Sequence, residues 1–138
     1  MSITLNTKDL MANFNDPVSI ATPEQFRAAV LSARQKMTPV QLAMLQAHCK
    51  AEAHTSTTYD LADLLKLENP SAAKTAYGNY ARLIAEALKF VPALSSNKPM
   101  WMHAIAYGVP DSNGKVDGEY RWVMRPELVG TLQAMKWA

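Results

Sequence analysis

His54–Phe90, HTSTTYDLADLLKLENPSAAKTAYGNYARLIAEALKF, is the stretch that decides the predicted fold. It contains a short helical pattern, a tight break at Asn69-Pro70, and a longer helical pattern with one apolar and one polar side. Two helices joined by a short turn form a helix-turn-helix unit, and its second helix commonly enters the major groove of DNA. The stretch therefore predicts a helix-turn-helix around which the rest of the chain is organised.

The second helix of this unit, from Pro70 to about Phe90, has the clearest amphipathic pattern in the chain. Asn69 can cap it, and proline suits the first helical turn. Its apolar side consists of Ala73, Ala76, Tyr77, Tyr80, Leu83, Ile84, Ala87 and Leu88. Its polar side consists of Ser71, Lys74, Thr75, Gly78, Asn79, Arg82, Glu86 and Lys89. We expect the apolar side to face the core and the polar side to face solvent.

Two similar helix-start signals precede the unit, Thr-Pro-Glu-Gln at 22–25 and Thr-Pro-Val-Gln at 38–41. A threonine cap, a proline in the first turn and a glutamine that can bond back to the cap mark a helix start. They predict helices at about Pro23–Lys36 and Pro39–Ala53, and the second is apolar over most of its circumference and therefore central. A third capping signal at Thr57 opens a short helix that ends near Leu67.

Two strand-like runs follow the unit, at Met100–Val109 and Gly118–Arg125, on either side of Asn113-Gly114 turn chemistry. They predict an antiparallel hairpin that would supply a wing, followed by a last helix at Pro126–Trp137. The predicted fold class is α+β and winged-helix-like, mostly helical, with a C-terminal two-stranded hairpin and a final short helix. Residues 1–21 show no sustained period and are predicted to be a partly ordered arm before one domain at 22–138.

Composition sets limits on the class of protein. The chain has 138 residues, 49% of them hydrophobic, and this suits one domain with one core. A net charge of +2 permits contact with nucleic acid without requiring it. One cysteine excludes an intramolecular disulfide and fits a reducing compartment. Because the sequence shows neither a secretory signal nor a long apolar run, we expect a cytoplasmic protein with no membrane contact.

The sequence does not favour a metal site. His48 and Cys49 are neighbours, so their side chains diverge by about 100° on a helix and cannot chelate one ion together. His54 lies beyond the predicted helix end, and His103 lies on a predicted strand. Four ligands would have to converge from separate elements, so we expect no metal and no cofactor.

Catalysis is also disfavoured. Ser95 and Ser96 lack the G-x-S-x-G elbow of a nucleophilic serine, and a cysteine inside an apolar helix usually packs. Asp60 and Asp63 resemble paired carboxylates, but capping and solvation explain them. The five glycines are scattered, so no phosphate-binding loop is present. We therefore expect no catalytic residues and no enzyme.

The polar side of the helix starting at Pro70 is suited to DNA. Lysine and arginine can neutralise phosphates, asparagine and arginine can read base edges, and the helix N-terminus can attract a phosphate. Gly78 lies on the same side, where it lowers helix stability by about 1 kcal/mol relative to alanine and permits close approach of another backbone. The predicted DNA contacts are Ser71, Lys74, Thr75, Asn79 and Arg82, with Lys115 from the hairpin turn.

Several acidic residues oppose this interpretation. Glu86 shares the polar side of the helix, and Asp111, Asp117 and Glu119 lie in or beside the proposed wing, where they would repel phosphate. Winged helices also serve as docking units. The alternative prediction is therefore a protein-interaction module or inhibitor that binds an enzyme or a nucleoprotein complex.

Two segments, 69–88 and 118–137, resemble a domain found ahead of HNH endonuclease domains in bacterial restriction-type proteins. The first segment carries Tyr77, Gly78, Arg82 and Leu83 of the family's Y-G-x-x-x-R-L helix. The second carries the run Trp122, Val123, Met124, Arg125, Pro126 and Glu127. The likeness spans roughly residues 38–137.

The resemblance implies a small module that helps to target DNA or a partner in restriction or phage–host conflict. The chain carries no HNH metal cluster, so nuclease activity is not carried over from the family. We expect instead a free-standing version that acts beside a separately encoded nuclease or another protein partner.

Overall fold

The computed structural model describes residues 19–92, 94–95, 98–109 and 121–138. The described α-helices are α1 Pro23–Ala33, α2 Pro39–Lys50, α3 Thr58–Leu64, α4 Pro70–Leu88 and α5 Pro126–Ala134. The described strands are β1 Thr55–Ser56, β2 Leu94–Ser95, β3 Lys98–Pro99, β4 Ala106–Val109 and β5 Arg121–Met124. Short 3-10 turns occupy Arg34–Lys36, Glu52–His54 and Trp101–Ala104. The described fold is mostly helical with a small antiparallel sheet and a final helix, an arrangement that fits the predicted α+β class.

The helix starts follow the capping chemistry that the sequence predicts. Thr22 and Thr38 each accept a hydrogen bond from the backbone N–H of the glutamine three residues later, and each glutamine side chain accepts from the backbone N–H of its threonine. Thr57 accepts from the backbone N–H of Asp60 at 2.9 Å, which fixes the start of α3. The helices end two or three residues before the predicted ends, because their last residues form tighter turns or an extended backbone.

The main sheet has three strands in the order β1-β5-β4, all antiparallel. In β5, Trp122 and Val123 pair with Gly108 and Tyr107 on one side. On the other side the same two residues pair with β1, a segment for which the sequence predicted no strand. The predicted pairing of the two C-terminal strands is therefore confirmed, and the prediction of a sheet of only two strands is wrong.

The stretch 100–109, predicted as one strand, divides into two elements. Trp101–Ala104 is a 3-10 turn, and only Ala106–Val109 joins the sheet. The preceding stretch, for which no strand was predicted, contains the short antiparallel pair of β2 and β3. The turn at 111–117, including Lys115, lies outside the described residues, as does the predicted arm up to residue 18.

Helix α4 lies at the centre of the packing. It contacts α1, α2, α3 and the Trp101–Ala104 turn. Its buried side chains are Ala73, Tyr77, Tyr80, Ala81, Ile84 and Ala85. Helix α2, predicted as the central helix, buries only one side, and Val40 at its start is 40% exposed. The small alanines of α4 let neighbouring elements approach closely, so α4 has the position predicted for α2.

Among the residues that the structure describes, no helix combines the length and apolar character needed to cross a bilayer.

Candidate nucleic-acid interface

The outer face of α4 is defined here by its exposed polar residues. Asn69 starts the helix, and a helical repeat of 3.6 residues then brings its polar positions to one side. The structure exposes all five helix residues that the sequence predicted as DNA contacts: Ser71, Lys74, Thr75, Asn79 and Arg82. The exposed charges Glu86 and Lys89 extend the same face toward the helix end. The outer face therefore remains uncovered by the described part of the chain.

Arg82 is held in place from two directions. Its Nε donates to Glu86 Oε2 at 3.4 Å, one helical turn further along. Its guanidinium carbon also lies 5.2 Å from the centre of the Trp101 ring, within the range of a cation–π contact. Both partners of the ion pair remain 57% exposed, so the guanidinium is accessible from outside. Arg82 is therefore an exposed cation with a supported position.

Gly78 is at the middle of the outer face, four residues after Lys74 and four before Arg82. A Cβ atom built at this position meets no atom of the described residues within 4 Å. Glycine is thus not required there by packing inside the chain, although it lowers helix stability by about 1 kcal/mol relative to alanine. The missing side chain leaves a shallow site in which an external backbone can approach the helix.

The start of α4 differs from the sequence prediction. Asn69 Oδ1 accepts from the backbone N–H groups of Ser71 and Ala72, at 3.0 and 3.2 Å. Pro70 has no N–H, and the N–H of Ala73 donates to the Asn69 carbonyl. All donors of the first turn are therefore satisfied internally. The amides at this helix end are thus not free to bind a phosphate, and the predicted attraction at the helix N-terminus would have to come from the helix dipole alone.

A buried histidine connects the inner side of α4 to the sheet. His48 in α2 is fully buried, with Nδ1 2.7 Å from the Tyr77 hydroxyl and Nε2 2.8 Å from the Trp122 carbonyl. A carbonyl only accepts, so Nε2 carries the proton and the Tyr77 hydroxyl donates to Nδ1. Burial lowers the pKa of His48 to about 4, which keeps the ring neutral.

A second buried polar contact joins the Trp101–Ala104 turn to the start of α5. Arg125 Nε donates to the His103 carbonyl at 2.9 Å, and both residues are buried. Burial lowers the pKa of Arg125 to about 10 and the pKa of His103 to about 4. Arg125 therefore stays charged at neutral pH. It fixes the turn that carries Trp101, and through Trp101 it supports the position of Arg82.

The ten residues of the predicted family motif differ in how deeply they are buried. Tyr77, Trp122, Met124 and Arg125 are buried in the core or in the contacts beneath it. Gly78 and Arg82 lie on the outer face of α4. Leu83, Val123 and Glu127 are half-buried and Pro126 is exposed, so four of the ten motif residues are buried and have a structural role in this fold. Comparisons with protein-family models, curated proteins and solved structures find no match for this chain, so the resemblance stays a prediction.

The described residues offer little for metal or nucleophilic chemistry. Within the described ranges, no three His, Cys, Asp or Glu side chains are grouped so that they could hold a metal ion. Both ring nitrogens of His48 are engaged, and Cys49 is 2% exposed, with burial raising the pKa of its thiol.

Two features of the interface were not assigned a role from the sequence. Trp101 was predicted to lie on a strand, and its contact with Arg82 joins positions 19 residues apart, which periodicity cannot reveal. Glu86 was interpreted only as a repulsive charge. Its spacing of four residues from Arg82 is a readable signal for a helical ion pair.

Proposed function

We propose that the chain is a non-catalytic DNA-binding module of winged-helix type that presents α4 to the duplex. The order α2-β1-α3-α4, followed after the short β2-β3 pair by β4-β5, with β5 between β1 and β4, supports this assignment. In a winged-helix arrangement the third helix of the unit, which here is α4, enters the major groove, and the β4-β5 hairpin lies beside it. A role in restriction or in phage–host conflict is the biological setting that the sequence resemblance suggests.

The single observation that carries the proposal is the outer face of α4 around Gly78, which no described part of the chain covers. Hydroxyl, amide and cationic side chains surround a helix position at which a backbone can approach closely. This combination suits a sugar–phosphate backbone and base edges, which offer acceptors for such donors. A merely solvated helix face would gain stability from alanine at this position.

Salt dependence provides the test. Binding of a mixed-sequence duplex should weaken steeply with salt, by about 0.9 log units per log unit of salt for each neutralised phosphate. The double variant Lys74→Ala/Arg82→Ala should lose most of the affinity. The matched control is Arg27→Ala/Lys36→Ala, which removes the same charges from exposed positions in α1 and the turn after it. The control should bind almost as well as the native chain.

The comparison between the two double variants decides the proposal. An equal loss of affinity in both would mean that binding depends on net charge and not on α4. Unchanged binding by Lys74→Ala/Arg82→Ala would show that the duplex contacts another surface. Circular dichroism of each variant verifies that the helices are intact, and both pairs are exposed, so folding should be preserved.

A second candidate function, protein docking, is favoured by the outer face of α3. Tyr59 and Leu64 are 49% and 67% exposed there. Asp60 and Asp63 lie on the same exposed side of this short helix. The carboxylates repel the phosphates of a duplex, whereas the exposed apolar side chains beside them are suited to contact with a protein surface.

Crosslinking separates the two candidates. A photo-crosslinking residue at Leu64 should give one discrete protein adduct in cells if α3 is the working surface. The same residue at Leu31, which is 43% exposed in α1, is the matched control. If the native chain binds no duplex and an adduct forms at Leu64 but not at Leu31, docking is favoured over DNA binding.

A further inference from the structure

Lys74 and Arg82 on the outer face of α4 lie in different halves of the helix. Lys74 lies in the first half of the helix beside the hydroxyls of Ser71 and Thr75. In the second half, Arg82 is paired with Glu86. A carboxylate beside a guanidinium offsets its charge and repels a phosphate. Arg82 is therefore less suited to a phosphate than its own charge alone would make it.

We propose that Arg82 reads the edge of a guanine, while Lys74 and the neighbouring hydroxyls contact phosphates. This inference rests on the proposed DNA-binding function and assigns the sequence specificity of that function to one side chain. It explains why an acidic residue accompanies a cation on a face that binds DNA.

The geometry of Arg82 suits a base contact. The pair with Glu86 uses Nε, and the guanidinium lies over the Trp101 ring. A guanidinium fork can donate two parallel hydrogen bonds to O6 and N7 of guanine. Because two neighbours already restrict this side chain, less conformational entropy is lost when those bonds form.

Glu86 acts as a positioning residue and as a selectivity element. Its carboxylate holds the guanidinium, and its negative charge lowers the attraction of Arg82 for any phosphate. A carboxylate is also the acceptor that the amino group of cytosine requires. The pair is thus complementary to a guanine–cytosine pair and poorly suited to the DNA backbone.

The test begins with a randomised duplex pool, from which the native chain selects its preferred sequence. Affinity for that duplex is compared with affinity for versions in which one guanine–cytosine pair is replaced by adenine–thymine, over a series of salt concentrations. Arg82→Lys keeps the charge and removes the fork. It should keep the salt slope and reduce discrimination at one position by about 5- to 150-fold.

Lys74→Ala is the matched variant from the other half of the helix. It should lower the salt slope by about 0.9 and leave the discrimination ratio unchanged. Glu86→Gln should raise nonspecific affinity, unlike a variant that only removes a DNA contact. It should increase affinity for unrelated duplexes and steepen their salt dependence, while it weakens discrimination at the same position as Arg82→Lys.

The outcomes separate the inference from the function on which it rests. If Arg82→Lys discriminates as well as the native chain, or if Arg82→Ala lowers the slope as Lys74→Ala does, Arg82 is a phosphate contact and the inference is wrong. If the native chain binds duplex with a steep slope and selects no sequence, the function stands and the inference fails. If no duplex is bound at low salt, both fail.

Discussion

The two sides of α4 belong to one helix but differ in their environment, since one is packed in the core and the other is exposed. The inner side is closely packed, with Tyr77 and Tyr80 fully buried and His48 bonded to the first of them. The outer side is exposed and contains a glycine with open space around it. Residues on the inner side should therefore determine the free energy of unfolding, and residues on the outer side should determine binding. Each side can be changed while the other is measured.

Acid should produce the largest change in the free energy of unfolding, and it acts through buried histidines. Burial lowers the pKa of His48 and of His103 from 6.5 to about 4 in the folded chain. Below pH 6.5 the unfolded chain therefore binds protons that the folded chain does not, so stability falls as the pH is lowered toward 4. Each histidine should lower the free energy of unfolding by about 2 kcal/mol at pH 5 relative to pH 7.

Urea denaturation at pH 7, 6 and 5 measures this effect. The variant His48→Gln removes one of the two titrating rings and should flatten the dependence by about half. An equal slope in His48→Gln and the native chain would show that the acid sensitivity arises elsewhere.

The two buried tyrosines of α4 should give the next largest effect. Tyr77→Phe removes the donor to His48 Nδ1 and leaves a buried acceptor unsatisfied, which should lower the free energy of unfolding by about 1–3 kcal/mol. The Tyr80 hydroxyl is buried and has no hydrogen-bond partner in the described part of the chain. Tyr80→Phe is therefore the matched control and should be neutral or stabilising. Equal losses in urea denaturation would contradict the assigned hydrogen bond.

The two glycines in helices should give the smallest change in stability. Gly78→Ala and Gly130→Ala each place a methyl group in open space and should raise the free energy of unfolding by about 0.5–1 kcal/mol. Only Gly78→Ala should weaken duplex binding, because Gly130 lies on α5. The affinities of both variants are measured beside their thermal midpoints. Unchanged binding by Gly78→Ala would remove the case for close backbone approach.

The helices could be predicted from the sequence because their signals are local. Thr38, Pro39 and Gln41 lie within one turn and satisfy each other, whatever the rest of the chain does. The amphipathic pattern of α4 is also a property of neighbouring residues, and it placed the outer face correctly.

The sheet and the supporting contacts of the interface depend on distant residues. Strand β1 exists because Thr55 meets Val123, nearly 70 positions later. Trp101 reaches Arg82 only after the turn before β4 packs against α4. Neither pairing has a spacing that a pattern could show. Asn69 could be predicted as the cap of α4 from the sequence. Which backbone amides it occupies, and so which are not free for a phosphate, could be seen only from the hydrogen bonds in the structure.

Gln41 joins the beginning of one helix to the middle of another. Its Oε1 accepts from the backbone N–H of Thr38, and its Nε2 donates to the Ala76 carbonyl, each at 2.9 Å. The first turn of α2 therefore cannot fray without releasing a carbonyl that also accepts the Tyr80 amide in the helical ladder of α4. Opening of that turn therefore also breaks a contact with α4, so the Gln41 amide should exchange more slowly than its place at a helix start alone would allow.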